Sequence, residues 1–377
     1  MMKQIIAVFS LFILFQSCDT DSEPSRSDWK RVSVPTNASL KKLFFVNENV
    51  GFVGSEQKAT LHSSNYRFMN GEYFSYIEDV HIITNESEYV RVDYAALNPE
   101  PVLFKTGDGG ETWVPVATPF ISGVVDIYFT DELNGYVATE FEGVYSTTTG
   151  GSSWVRVLSN VAFFGSGRIV ENPFKRIHAV GVGSFYAMAF DWNNNAVVKT
   201  KDGGISWELV PSFELDCMCG NKKISFTTGQ TGFAITTDKG FLTTEDGGST
   251  WQKVDFSSRD LDPAMGHTVV DFDFVNALDG FLIVDGNIYR TQDGGRNLER
   301  IFDLYSGNRV HAKNADELFV LYETIGEARM MYFNTATNEA RESTVKFETS
   351  ILGDWFVVGD KAFVAGTNGF LAKWKMR

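Results

Sequence analysis

From Trp29 onward the chain switches between apolar and polar residues at a period of two, in short runs closed off by Gly, Asn or Asp. Such alternation lays one face of each run on a core and predicts β-strands. The runs follow one order. A short apolar run comes after a tryptophan: "WVPV" (113–116), "WVRV" (154–157), "WELV" (207–210), "WQKV" (251–254). An alternating run follows, as in "VVDIYF" (124–129) and "VVDFDF" (269–274). Next comes a Gly-aromatic run, "GYVA" (135–138), "GFAI" (232–235) or "GFLI" (280–283), and then a fourth, "GVYST" (143–147), "GFLTT" (240–244) or "NIYRT" (287–291). No stretch beyond residue 28 sustains a helical period, so the chain reads as all-β.

A nine-residue turn joins the last run to the next tryptophan, and it recurs. It reads "KTGDGGETW" at 105–113, "KTKDGGISW" at 199–207 and "TTEDGGSTW" at 243–251. Two copies are worn: "RTQDGGRNL" (290–298) ends in Leu, and "STTTGGSSW" (146–154) lacks the aspartate. A four-strand unit repeating every ~40–50 residues is the period of a propeller blade.

The two ends complete the count. "DWKRVSVP" (28–35) matches the post-tryptophan strand without a turn before it, and "KAFVAGTNGFLAKWK" (361–375) stops where a turn is due. Together they make one blade, which closes the ring and leaves no open sheet edge. Inner strands near 42, 124, 176, 222, 269, 308 and 351 predict a seven-bladed β-propeller over 29–377. The segment 308–342 has no recognisable turn motif, so six or eight blades also fit the count. An insertion at about 55–100, carrying "NYRFMNGEYFSY" (65–76), enlarges the first blade.

Charge narrows the partners. Acidic residues outnumber basic ones 48 to 33, a formal net charge of −15, which disfavours nucleic acid and anionic membrane surfaces. The N-terminus reads as a signal peptide over 1–17: Lys3, the apolar "IIAVFSLFILF" (5–15), then "FQSC". Ser17 before Cys18 resembles a lipobox, although Phe15 and Gln16 depart from its usual residues. The resemblance implies acylation of Cys18, with 18–28 as a flexible tether; an ordinary secretory signal is the alternative. The expected location is therefore the outer membrane of a bacterial envelope, on its periplasmic or surface face, with membrane contact only through the lipid. Cys217 and Cys219 are candidates for free thiols or a small-ring disulfide. With no second pair and five scattered histidines, no metal and no cofactor is expected.

The turn motif has a structural chemistry. In Thr106, Asp108, Gly110, Thr112 and Trp113 the carboxylate can accept N–H bonds of its own turn, and glycine permits positive φ. The two threonines can exchange a bond across the turn while the indole covers it. The same roles fall to Thr200, Asp202, Gly204, Ser206 and Trp207, to Thr244, Asp246, Gly248, Thr250 and Trp251, and to Asp293 and Gly295 in the worn copy. A phosphate loop would need Gly-Lys-Ser/Thr before a helix, and an EF-hand a Glu at position twelve; neither is present.

This T-x-D-x-G-x-T-W pattern resembles the Asp-box, or BNR, repeat of sialidases, sortilin-type receptors, xyloglucan-cleaving glycosidases and photosystem II assembly-factor propellers. Blade count and length are most similar to the assembly-factor group. The resemblance implies fold rather than function. In sialidases the box lies opposite an active site whose arginine cluster begins with F/Y-R-I-P; the nearest string here, "FKRIH" (174–178), has His for Pro and lies in the third blade. Xyloglucan-cleaving relatives use a cleft between two propellers, and this chain has length for one.

Functional loops in such a ring join an outer strand to the next blade, or the second strand to the third. Candidate binding residues there are Tyr73 in the insertion, Phe163 and Phe164 (connector 157–166), Asp191 and Trp192 (loop 186–195), Phe213 (211–221), and Arg259, Asp260, Asp262 and His267 (255–267). Each has a plainer reading: solvated loop carboxylates, a structural histidine, phenylalanines plugging the channel. No catalytic signature emerges. The sequence is thus read as a non-enzymatic binding or assembly scaffold for an envelope protein or glycan. A glycoside hydrolase using Asp191, Asp260 or Asp262 is the alternative, and a glycan-binding protein without turnover, using Trp192 or Tyr73, is a third reading.

Overall fold

The computed structural model describes residues 29–56, 100–158, 174–189, 196–210, 223–261, 266–346 and 352–375, apart from 121, 141, 237–239, 305–306 and 325–326. For Tyr66–Met69, Glu72–Ser75, Val80–Ile83, Tyr89–Val92, Ala162–Phe163 and Ile169–Val170 it describes the backbone alone. Seven four-stranded antiparallel sheets form a β-propeller, with no helix among the described residues. In six of the blades, strands A to D run outward from the axis in chain order. The A strands are Leu40–Phe45, Val124–Phe129, Phe174–Gly181, Lys223–Phe226, Val269–Phe274, Arg309–Ala312 and Leu352–Val358.

The last blade closes the circle. Its A, B and C strands are Leu352–Val358, Lys361–Gly366 and Leu371–Lys375, and its D strand is Trp29–Arg31 from the other end of the chain. Trp29 lies opposite Trp374 and Arg31 opposite Ala372. The guanidinium of Arg31 sits 5.6 Å from the Phe370 ring centre. Blade six settles the blade count. Its strands Glu317–Thr324, Glu327–Asn334 and Glu339–Lys346 are the longest of their kinds, and a short hairpin replaces the box. There the Asn334 side chain accepts the Ala336 and Thr337 N–H groups at 2.9 and 3.0 Å, and Asn338 takes a left-handed φ of 56°. The insertion folds its described strands into two hairpins between strands B and C of blade one, on the face opposite the boxes.

Aromatic packing explains the Gly-aromatic runs. Each of Phe45, Phe129, Phe226 and Phe274 ends an A strand and lies over the glycine that starts the B strand. A Cβ on Gly51, Gly135, Gly232 or Gly280 would fall 2.6, 2.3, 2.6 or 2.5 Å from that ring. The next aromatic then stacks on the phenylalanine of the following blade: Phe52 on Phe129 at 4.1 Å, Phe233 on Phe274 at 3.7 Å and, in blade seven, where Ala362 replaces the glycine, Phe363 on Phe45 at 4.3 Å. The box tryptophan meets the same ring edge-on, Trp113 against Phe45 at 82° and Trp154 against Phe129 at 84°. Beyond the area it buries, each such pair contributes about 0.5–1.5 kcal/mol. Among the described residues, these phenylalanines are the grout between blades.

Candidate functional site

The boxes occupy one rim and consume their own carboxylates. Asp108 Oδ1 accepts the Glu111 and Thr112 N–H groups at 2.9 and 3.0 Å and the Thr106 hydroxyl at 2.8 Å, and Oδ2 accepts the Thr112 hydroxyl at 2.5 Å. The two threonines therefore meet on the aspartate rather than on each other, as the sequence alone had suggested. Thr106 Oγ1 instead takes the Gly110 N–H at 2.9 Å. Asp202 and Asp246 repeat the pattern with Thr200 and Ser206 and with Thr244 and Thr250.

In the worn copy, Asn297 supplies both the N–H and the side-chain donor to Asp293, and buried Leu298 stands where tryptophan would be. In blade two Thr149 does the aspartate's work, bonding the Ser153 N–H at 2.9 Å and its hydroxyl at 3.0 Å. Hydroxyl and amide donors pull these carboxyls down. The Ser206 hydroxyl first of all holds Asp202 at about 2, the Thr250 N–H does the same for Asp246, and Asp108 lies lower still. A glycine N–H of each box also bonds the A–B turn of its own blade, Gly109 to the Asn49 carbonyl and Gly247 to that of Gln230, both at 2.8 Å.

A second set of contacts always points to the next blade along the chain. The residue before the box threonine reaches the following box: Lys105 Nζ donates to the Gly150 carbonyl at 2.8 Å, and Lys199 to Ser249 Oγ at 3.2 Å. Arg290 reaches Asp316 and Thr335, which stand in for a box in blade six. Lys373 closes the ring on Glu111, joined there by Lys30.

The axial channel, a cavity of about 430 Å³, is lined by the A strands of all seven blades. At the equivalent position of each stands a charged residue, in ring order Lys42, Asp126, Arg176, Lys223, Asp271, Arg309 and Asp354. Most of these positions coincide with a register shift in the A–B pairing. The three aspartates are buried and stitch neighbouring blades: Asp126 accepts the Ile177 N–H at 2.7 Å, Asp271 that of Val310 at 2.9 Å, and Asp354 that of Leu43 at 3.0 Å. Lys42 lies 3.2 Å from Asp126 and 3.4 Å from Asp354, Arg309 3.0 Å from Asp354, and Lys223 2.9 Å from Asp271. Burial alone would raise Asp354, but the charges of Lys42 and Arg309 outweigh it and hold the carboxyl below its ordinary value.

Two residues on, toward the box rim, stand Phe44, Tyr128, His178, Ser225, Asp273, His311 and Phe356. Phe44 meets Tyr128 at 5.1 Å and Phe356 at 5.4 Å, narrowing the channel with aromatic rings. His178 accepts the Phe226 N–H at 2.9 Å, and burial depresses it to about 4, so it is neutral at ordinary pH. Asp273 accepts the Ala312 N–H at 2.9 Å and faces His311 Nδ1 at 3.0 Å.

The face opposite the boxes carries the connectors. His267 is held there, its Nδ1 2.6 Å from Asp285, whose other oxygen takes the Thr268 N–H. It pins the connector to the B–C turn of blade five. Arg259 and Asp260 are exposed in the same connector, and Asp260 approaches Arg300 at 3.8 Å. Tyr73 and Phe163 lie on described strands, in register with Phe68 and Ile169. Cys18, Phe164, Asp191, Trp192, Phe213, Cys217, Cys219 and Asp262 fall outside the described residues. Among the described residues no group of three His, Cys, Asp or Glu is placed to hold a metal ion.

Comparison with known proteins agrees with this geometry. A family model described as photosynthesis system II assembly factor YCF48 matches residues 191–317, from the middle of blade three into blade six. The structure of YCF48 bound to D1 peptide superposes with a TM-score of 0.61 at 16% identity, over 94% of this chain and 97% of that one. The chain is an Asp-box β-propeller. YCF48 from Cyanidioschyzon merolae matches over 92% of this chain and 98% of its own at TM-score 0.59 and 16% identity. An ancestral GH74 enzyme matches 91% of this chain at TM-score 0.55 and 12% identity, with only 45% of the enzyme covered. None of the curated proteins compared with the chain matches it in sequence.

Proposed function

We propose that this Asp-box propeller is a non-enzymatic assembly or binding factor that holds a segment of a partner protein on its connector face. The observation that carries the reading is end-to-end similarity to a propeller of the same size that was solved with a peptide bound. The box rim supports it from the other side, because its carboxylates are engaged in their own turns. The finer reading is an exported lipoprotein, anchored through Cys18, whose partner is a protein or glycan of a bacterial envelope. Trp29 opens the outer strand of blade seven at the box-rim end, since it pairs with Trp374 where strand C arrives at that rim. A tether over 18–28 would then leave from the box rim, and the connectors would face away from the membrane.

The test is cross-linking of the acylated protein in envelope extract, beside a variant with connectors 211–221 and 255–267 replaced by Gly-Ser linkers. A protein enriched by the first and lost from the second is the expected result; equal recovery from both would remove the connector face as the site. Turnover of a polysaccharide or sialoside, abolished by Asp191→Asn, Asp260→Asn or Asp262→Asn, would replace this reading with a hydrolase.

A further inference from the structure

A ring of alternating charges closes only when its members are even in number, and this propeller has seven. Around the axis the signs run plus, minus, plus, plus, minus, plus, minus. The one like-charge step falls between Arg176 and Lys223, on blades three and four. The two differ in what they hold. Lys223 is committed to Asp271 at 2.9 Å and to the Phe272 carbonyl at 2.5 Å. Arg176, exposed to the channel, has no hydrogen bond or ion pair with any described residue, although its charge reaches across far enough to help lower Asp354.

The hydrogen-bonding balance of the channel points the same way. Asp126, Asp271 and Asp354 each already serve a backbone N–H and at least one cation, and Asp273, the fourth carboxylate of the lining, takes the Ala312 N–H beside His311. Among the described residues, donor capacity is left on one side of the channel: the guanidinium fork of Arg176, and the Nδ1–H that neutral His178 carries because its Nε2 accepts the Phe226 N–H. Such a site has room, in a cavity of about 430 Å³, for a small ligand but not for a folded partner.

We infer that the channel binds one oxyanion, a carboxylate or phosphate group, on Arg176 at the blade three–four step, where it supplies the negative charge that the ring lacks between Arg176 and Lys223. A planar fork takes a carboxylate or two phosphate oxygens side by side, which a lysine does as a point charge only. The site is separate from the connector face proposed for a protein partner, and neither reading requires the other.

Thermal unfolding of the full chain tests the inference, with inorganic phosphate or succinate against sodium chloride at matched ionic strength. At an anion concentration ten times its half-saturation value, linkage raises the melting temperature by about 2 °C for a ring of this size. Phosphate and succinate together identify the oxyanion; phosphate alone or succinate alone assigns the site to that group. Arg176→Gln should abolish the shift, and Arg176→Lys should weaken the binding at least tenfold. Arg176 is exposed, so both variants should melt within about 1 °C of the parent in chloride. A shift of equal size in the parent and in Arg176→Gln, or no shift with either anion, would overturn the inference.

Discussion

Asp354→Ala removes the carboxylate that binds the last blade to the first. In the parent, one oxygen takes the Leu43 N–H at 3.0 Å and lies 3.4 Å from Lys42, and the other takes Arg309 at 3.0 Å. Losing the acceptor strands a buried amide, at about 1–3 kcal/mol. Breaking a fully buried ion pair from one side costs about 3–5 kcal/mol, but two facts reduce that here. Lys42 keeps Asp126 at 3.2 Å, and the Arg309 side chain is 35% exposed, so water takes over part of its solvation.

The sum is about 3 kcal/mol. With an unfolding entropy of ~2.1 cal/mol/K per residue over about 350 residues, the melting temperature falls by about 4 °C in scanning calorimetry at pH 7. Arg309→Met in the Asp354→Ala background should cost less than it does alone, with a coupling of about 1 kcal/mol. The sign with pH follows from the lowered carboxyl. Its contribution is complete above the ordinary aspartate value of 3.8 and is lost as pH falls through the lower folded value, so the gap between parent and variant narrows below about pH 4. A loss under 1 °C at pH 7, strict additivity with Arg309→Met, or a gap that widens in acid would refute the stitching role.

The other predictions concern the repeat. Thr149→Asp should complete the blade-two box by offering a second oxygen to the Ser153 N–H and hydroxyl, and raise stability by about 1 kcal/mol in urea titration. Gly135→Ala puts a methyl 2.3 Å from the Phe129 ring and should unseat its stack on Phe52, at about 1–3 kcal/mol by the same titration. His178, depressed by burial to about 4 from 6.5, binds its proton in the unfolded chain first, so its share of stability is lost as pH falls from 6.5 to 4. Its ring resonances should accordingly stay in the neutral form down to about pH 5 in NMR titration, whereas titration near 6.5 would contradict its burial.

Much of the ring was legible because its repeat is loud. The recurrent Gly-Gly turn, the tryptophan after it and the unmatched Trp29 together place six of the seven sheets. Blade six was harder, since its turn is a plain hairpin whose capping residue, Asn334, resembles any loop asparagine. The sequence also held a signal that was missed. Phe45, Phe129, Phe226 and Phe274 each stand six residues before a glycine, a spacing that makes sense only when the ring is seen lying on that glycine. The channel charges were hidden for a different reason. Asp126 and Asp271 sit inside "VVDIYF" and "VVDFDF", where period-two reading assigns a polar residue to solvent. At the axis of a propeller the apparent solvent side is the next blade, and the carboxylates meet its amides.

Most side-chain contacts between blades run one way around the ring. Lys105, Lys199, Arg290 and Lys373 each reach forward, as do Asp126, Asp271 and Asp354, and as Phe52, Phe233 and Phe363 do through their stacks. Every sheet thus carries a hand on one flank and a handle on the other. A gene duplication that copies one whole unit delivers both at once, so rings of this type can grow or shrink without a new interface being invented. Half a unit brings a hand with nothing to grasp, which is why such proteins should change size in whole steps.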